Sequence, residues 1–242
     1  GRLVLSYAEE IFSLGNELKE MLKSLPEEKT ILFNVGVTDV VPKSIAYRLL
    51  SPALELPEPV RIVCKEGSLD SLWEELTAHH IDLVIADSPI PTELSISGFS
   101  RPLGDCGITF FATPELASGL GSTFPQSLSG ATYLLTGEIT VVRGRLLKWF
   151  DSLRIHPKIV GEFDDSALMK AFGQAGAGVF IVPTAIAGEV QKQYGVECIG
   201  QTNDVREEFY AISVERKIPH PAVASITKTA REWLFSNIPN FV

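Results

Sequence analysis

The sequence is short of the features that would mark a secreted, membrane-spanning or phosphate-gripping chain. It has three cysteines, Cys64, Cys106 and Cys198, an odd and widely spaced set with no histidine at metal-ligand spacing. A disulfide framework and a zinc site are therefore excluded as organising devices, and the thiols read as reduced residues on strands. Lysine and arginine number 21 against 30 acids, a formal net charge of −9, and no run of basic residues exceeds two. Binding nucleic acid requires clustered cations that release counterions, so these residues do not themselves grip DNA. The longest apolar stretch, around Val179 to Ala187, is broken by Pro183 and falls far short of a membrane span of roughly 20 residues. No basic start leads into an apolar segment with a small-residue cleavage site, so a cytoplasmic location without membrane contact is expected.

Catalytic motifs are missing too. Gly173–Gly178 reads GQAGAG and closes a helical pattern instead of opening one, which argues against a phosphate cradle. GLGS at Gly119–Ser122 has no strand-to-helix context, and no nucleophile elbow or Cys/His pairing is present. His79 and His80 are adjacent and point in different directions on a helix, so they cannot share a metal from one face. Asp164 and Asp165 are neighbours that point apart, a poor acid–base pair. An enzyme is not expected.

What the chain does have is periodicity. Val4, Tyr7, Ile11, Leu14, Leu18, Met21 and Leu25 alternate in steps of three and four, about three heptads of a seam, before Pro26 stops the helix. Gly15 weakens that helix by roughly 1 kcal/mol against alanine. A seam this regular ahead of any domain core suits pairing with another helix. From Thr30 onward, strands and helices alternate: Ile31–Val37, Val60–Glu66 and Ile81–Asp87 in the first half, then Ile108–Thr113, Thr132–Thr136, Lys158–Asp164, Val179–Pro183 and Val196–Gly200. This alternation predicts an α/β fold with mostly parallel sheets and right-handed crossovers. Two such series suggest two subdomains, the chain crossing at Arg101–Asp105 and again at Thr202–Glu207. The expected layout is a helix at 1–26, subdomain I from 30–103 with 206–242, and subdomain II from 104–205.

In open α/β sheets ligands sit beyond the carboxyl ends of strands. The residues at those places are Thr38 and Asp39, Asp87 and Ser88, Thr136, Gly137 and Glu138, and Asp164 to Ser166. Hydroxyls and carboxylates recur at equivalent places in both halves, and a cleft between the subdomains would bring them together. Each of these side chains also suits helix capping. Helix starts favour anions, yet five carboxylates line these mouths and no arginine or lysine is adjacent in sequence. Oxygen-only ligands suit a hard cation, so a small cationic effector such as sodium is expected, with no other cofactor.

The segments LPEPVRIVCKEG, IDLVIADSP and FDDSALMKAFGQAGAGVFIVPT together resemble the effector-binding half of LysR-type transcriptional regulators. That resemblance implies two Rossmann-like subdomains of the periplasmic-binding-protein type, preceded by a linker helix. It also implies a winged helix-turn-helix domain, outside these residues, that contacts DNA, and self-association to a dimer or tetramer. The family's effector positions fall on Thr38, Asp39, Asp87, Ser88, Thr136, Gly137 and Ser166; Asp164 joins them on the carboxylate argument. Within the family, ADSPI, GDCGITFF and GEFDDSALMKAFG are similar to an activator of sodium/proton antiporter genes, which implies a cation as signal. The runner-up is a transport-type solute-binding protein of the same architecture.

Overall fold

The computed structural model describes residues 2–23, 30–91, 98–120, 123–214 and 220–236. The chain divides into two units, Gly1–Leu103 with Phe209–Arg231, and Gly104–Glu208 with Glu232–Val242. In the first unit, α1 (Arg2–Lys23) is followed by β1 (Ile31–Thr38), α2 (Lys43–Leu50), β2 (Val60–Gly67), α3 (Leu69–Thr77) and β3 (Leu83–Ala86). β1 lies between β2 and β3 and pairs parallel with both. β3 pairs antiparallel on its other side with the strand that carries Tyr210–Ile212, and its four residues are apolar and buried, as in a strand covered on both faces. Ser68 starts α3 with a side-chain cap, its Oγ accepting the Ser71 amide at 3.3 Å. Leu72 and Leu76, one turn apart, pack with Ile81, Val84 and Ile212 to form the core on that side.

Two strands are longer than the sequence pattern suggests. β4 runs from Gly98 to Ala112, and β8 from Glu197 to Val214. The segments Arg101–Asp105 and Thr202–Glu207, where the chain is expected to cross, lie within these two strands. Charged residues in them are cross-strand partners: Arg206 Nε donates to Asp105 Oδ2. The unit boundary falls within each strand, after Leu103 and after Glu208.

The second unit contains the remaining length of β4, then α4 (Pro114–Leu120), β5 (Thr132–Thr136), α5 (Val141–Ser152), β6 (Lys158–Phe163), α6 (Ser166–Gln174), β7 (Phe180–Pro183) and α7 (Ala187–Tyr194) before β8. β5 and β6 pair parallel, a bridge joins Tyr133 to Val179, and β7 runs antiparallel to β4. The core is an aromatic nest of Phe110, Phe124, Tyr133, Trp149 and Phe150, with ring centroids 5.3–6.4 Å apart. Each such ring, fully buried, contributes roughly 1.5–3 kcal/mol through its area alone. GQAGAG has a structural purpose. A Cβ on Gly173 would lie 2.2 Å from the Phe180 ring, so α6 rests directly on β7, and Gly176, at φ +80°, turns the chain out of the helix. α8 (Pro221–Ser236) closes the described chain.

One residue of α6 goes against its surroundings. Lys170 is buried, its Nζ 5.8 Å from the centre of the Tyr194 ring. Burial pushes its pKa down, partly offset by the charge of Asp165. A lowered folded-state value means the folded chain binds fewer protons here than the unfolded chain. The resulting penalty is full below the folded-state value and fades as pH rises toward the ordinary lysine value of 10.5. Lys170→Met should therefore raise the melting temperature at pH 7 by roughly 2–4 °C, the equivalent of about 1 kcal/mol in a chain of this size. The gain should shrink in melts repeated at pH 10.

Candidate functional site

Parallel strands bring their carboxyl ends to one side, and each unit gathers its own set of polar turns there. In the first unit Thr38 ends β1 opposite Gly67, and the Asp39 amide donates to the Gly67 carbonyl at 3.1 Å. β3 is registered with β1 through Val37 and Ile85, so Asp87 and Ser88 emerge beside Thr38 and Asp39. The structure thus brings these four residues together. Thr38 is buried, and its Oγ1 has no hydrogen-bond partner. Asp39 is exposed, and α2 begins after Pro42 with no side-chain cap, so Asp39 is not a capping residue. Asp87 makes a contact of its own.

In the second unit β5 and β6 end level, Thr136 opposite Phe163. The Gly137 amide donates to the Phe163 carbonyl at 2.7 Å, carrying the pairing one residue past the strand. This brings Gly137 against Asp164 so closely that a Cβ on Gly137 would lie 1.8 Å from Asp164 Oδ1. Only glycine fits there. The two adjacent aspartates have different tasks. Asp165 caps α6, Oδ1 accepting the Ala167 amide at 2.6 Å, whereas Asp164 is exposed and its carboxylate makes no hydrogen bond or ion pair among the described residues. Ser166 opens the helix behind them. Thr136, Gly137, Asp164 and Ser166 therefore form one cluster.

The chain from residue 28 to 234 matches the family model described as the LysR substrate binding domain. The chain belongs to the LysR family. It is 36% identical over 239 residues to the transcriptional activator protein NhaR of Escherichia coli K12, covering 98% of this chain and 77% of that protein, and equally to NhaR of Shigella flexneri. Among solved structures, CbnR, a LysR family transcriptional regulator, matches with a TM-score of 0.65 at 18% identity over 96% of this chain and 79% of CbnR. The effector-binding domain of QuiR in complex with shikimate matches with a TM-score of 0.63 at 15% identity, over 86% of this chain and 97% of that one. These likenesses establish the periplasmic-binding-protein-like fold of LysR effector-binding domains. The chain is a regulatory domain and not an enzyme, and family membership displaces the reading as a transport protein. LysR regulators bind small-molecule effectors, act as oligomers and contact DNA through an N-terminal domain. No described helix is long and apolar enough to cross a membrane.

Viewed as a LysR effector domain, the second unit contains residues that sequence adjacency hides. Arg143, on the first turn of α5, reaches back so that Nη1 donates to the Thr136 carbonyl at 2.8 Å and to Glu162 Oε2 at 2.6 Å. In the first unit Lys43 pairs with Glu66 at 2.5 Å. The expectation of turns without cations is thus corrected: they arrive from helix first turns, several residues along the chain. Thr140 precedes α5, and its hydroxyl donates to the Gly137 carbonyl at 2.9 Å and lies 3.2 Å from Thr136 Oγ1, leaving the helix start uncapped. Among the described residues no group of three or more His, Cys, Asp or Glu could enclose a metal ion.

Gly137→Ala should force the Asp164 carboxylate off its seat. Overpacking of this kind costs about 1–3 kcal/mol. Denaturant titration of the variant should show that loss at unchanged m-value, and Asp164→Ala placed in the same chain should restore part of it.

Proposed function

We propose that this domain is the effector sensor of a LysR-type transcriptional activator of sodium/proton antiporter genes, and that its signal is a small cation or a cationic molecule. In the second unit the turns that would hold it carry Thr136, Gly137, Asp164 and Ser166, and in the first unit the corresponding turns carry Thr38, Asp39, Asp87 and Ser88. The observation that carries this reading is the exposed, unpaired Asp164 carboxylate, held against Gly137 with hydroxyls of the same turn nearby. The antiporter target is supported by the resemblance to NhaR over nearly the whole chain. Such a sensor works in the cytoplasm beside the promoter. Its effector can act only by favouring one of two arrangements through a difference in affinity.

A second reading has its own support. α2 and α5 start without side-chain caps, and the buried Thr38 hydroxyl is unpartnered, which suits a carboxylate-bearing ligand. Isothermal calorimetry with sodium, lithium and small carboxylates at constant ionic strength separates the two. Sodium or lithium should bind the wild type, and Asp164→Asn should weaken that binding at least tenfold with an unchanged melting temperature. Carboxylate binding that Thr38→Val abolishes, without any cation response, would replace the cation reading.

α1 supports the assembly side of the proposal. Tyr7, Ile11, Leu14 and Leu18 lie on one stripe and are 51–67% exposed, a seam that a second linker helix would cover. The seam positions Val4 and Met21 have side chains outside the described set, and Leu25 and Pro26 lie outside the described residues.

A further inference from the structure

The helices that follow β1 and β5 start in the same unusual way. α2 begins with Lys43, α5 has Arg143 as its third residue, and neither helix has an acid in its first turn or a side-chain cap. Positive charge there opposes the helix dipole, so each cation needs an acid from elsewhere to hold it. Each finds one at the same place in its own unit. Thr38 ends β1 opposite Gly67, and Lys43 pairs with Glu66, the residue before Gly67. Thr136 ends β5 opposite Phe163, and Arg143 pairs with Glu162, the residue before Phe163. The two pairs differ in burial. The Lys43 and Glu66 side chains are about half exposed, an ordinary surface pair, whereas the Arg143 side chain is only 16% exposed. Arg143 also engages the backbone: Nη1 donates to the Thr136 carbonyl at 2.8 Å as well as to Glu162 Oε2 at 2.6 Å. Carbonyl and carboxylate oxygens are the ligands a hard cation selects. These two lie at the strand end whose next residue, Gly137, rests against the Asp164 carboxylate.

We propose that Arg143 is the resident cation of the second unit's site: without effector it occupies the Thr136 and Glu162 oxygens, and an arriving cation displaces it. This inference rests on the cation reading of the sensor and supplies that reading with a switch. Displacement frees the first turn of α5 from the end of β5, so binding becomes a change at a helix start. It also sets the threshold of the response. A ligand that binds only the molecules whose Arg143 is swung away has its apparent affinity reduced by that fraction, so the domain ignores a low concentration of the ion and answers a high one. Lys43, with its half-exposed pair and no carbonyl partner among its printed contacts in the first unit, is not held in this way.

The test is calorimetric titration of the whole chain with sodium chloride replacing tetramethylammonium chloride at fixed ionic strength. Arg143→Gln should bind sodium roughly tenfold tighter than the wild type, a gain that mere structural damage does not produce. Arg143→Lys, which keeps the charge, should stay near the wild type. So should Arg154→Gln, which removes an exposed charge beyond the other end of α5. In the wild type, the Arg143 side-chain NMR resonance, assigned by its loss in Arg143→Lys, should move to the position of free arginine side chains as sodium saturates. Wild type and variants that all ignore sodium would overturn the sensor reading and this inference together. Wild-type binding that Arg143→Gln leaves equal or weaker, or an Arg143 resonance that stays in place at saturation, overturns this inference alone. Binding by Arg143→Gln and not by the wild type upholds the role of Arg143 and removes sodium as the signal. If Arg143→Gln does not fold, the wild-type resonance decides.

Discussion

The second unit depends on two parallel strands that end level. Because Thr136 and Phe163 are register partners and the Gly137 amide still reaches the Phe163 carbonyl, the turns leaving β5 and β6 start from the same height. The next residue on each strand then has nowhere to go but toward the other. Gly137 accepts that approach because it has no side chain, and Asp164 is left with its carboxylate facing out. A one-residue shift in pairing would turn each side chain to the opposite face and separate the cluster. The site is thus a consequence of strand register, and the side chains are arranged on a geometry that the backbone hydrogen bonds already set.

α5 holds that geometry from both sides. Arg143 ties its first turn to the Thr136 carbonyl and to Glu162 on β6. Farther along, Arg145 donates to the Arg206 carbonyl at 2.6 Å, and the Trp149 indole donates to Asp204 at 3.2 Å, both on β8. Between these polar contacts, Trp149 and Phe150 sit in the aromatic nest, where burial supplies the larger share of the energy. Surface ion pairs add little singly, typically 0–1 kcal/mol. Their value here is positional: the mostly buried Arg143 guanidinium fixes where β5 stops relative to β6.

Most of the α/β alternation could be read from the sequence because apolar runs and capping residues report it locally. Ser68, IDLVIAD and the stop at GQAGAG all depend on neighbours within a few residues. The long strands β4 and β8 could not be read so, because Arg101–Asp105 and Thr202–Glu207 carry charges that only make sense across a strand pair, with Asp105 and Arg206 separated by 101 positions. The site shows the same division. That hydroxyls and carboxylates collect at strand ends follows from topology, but the separate tasks of Asp164 and Asp165 follow from a single 2.6 Å cap. Arg143 is not legible from adjacency because it lies seven residues from Thr136 and reaches it only once α5 folds back.

The central claim, that the turns after β5 and β6 form one ligand-responsive unit, can be tested directly by amide-resolved NMR. Sodium chloride would be exchanged for tetramethylammonium chloride at fixed ionic strength. The account predicts saturable shifts that begin in the amides of residues 137–140 and 164–168 and share one apparent Kd. Amides in these two turns that stay still, or that titrate with unrelated midpoints while another region responds, would contradict it.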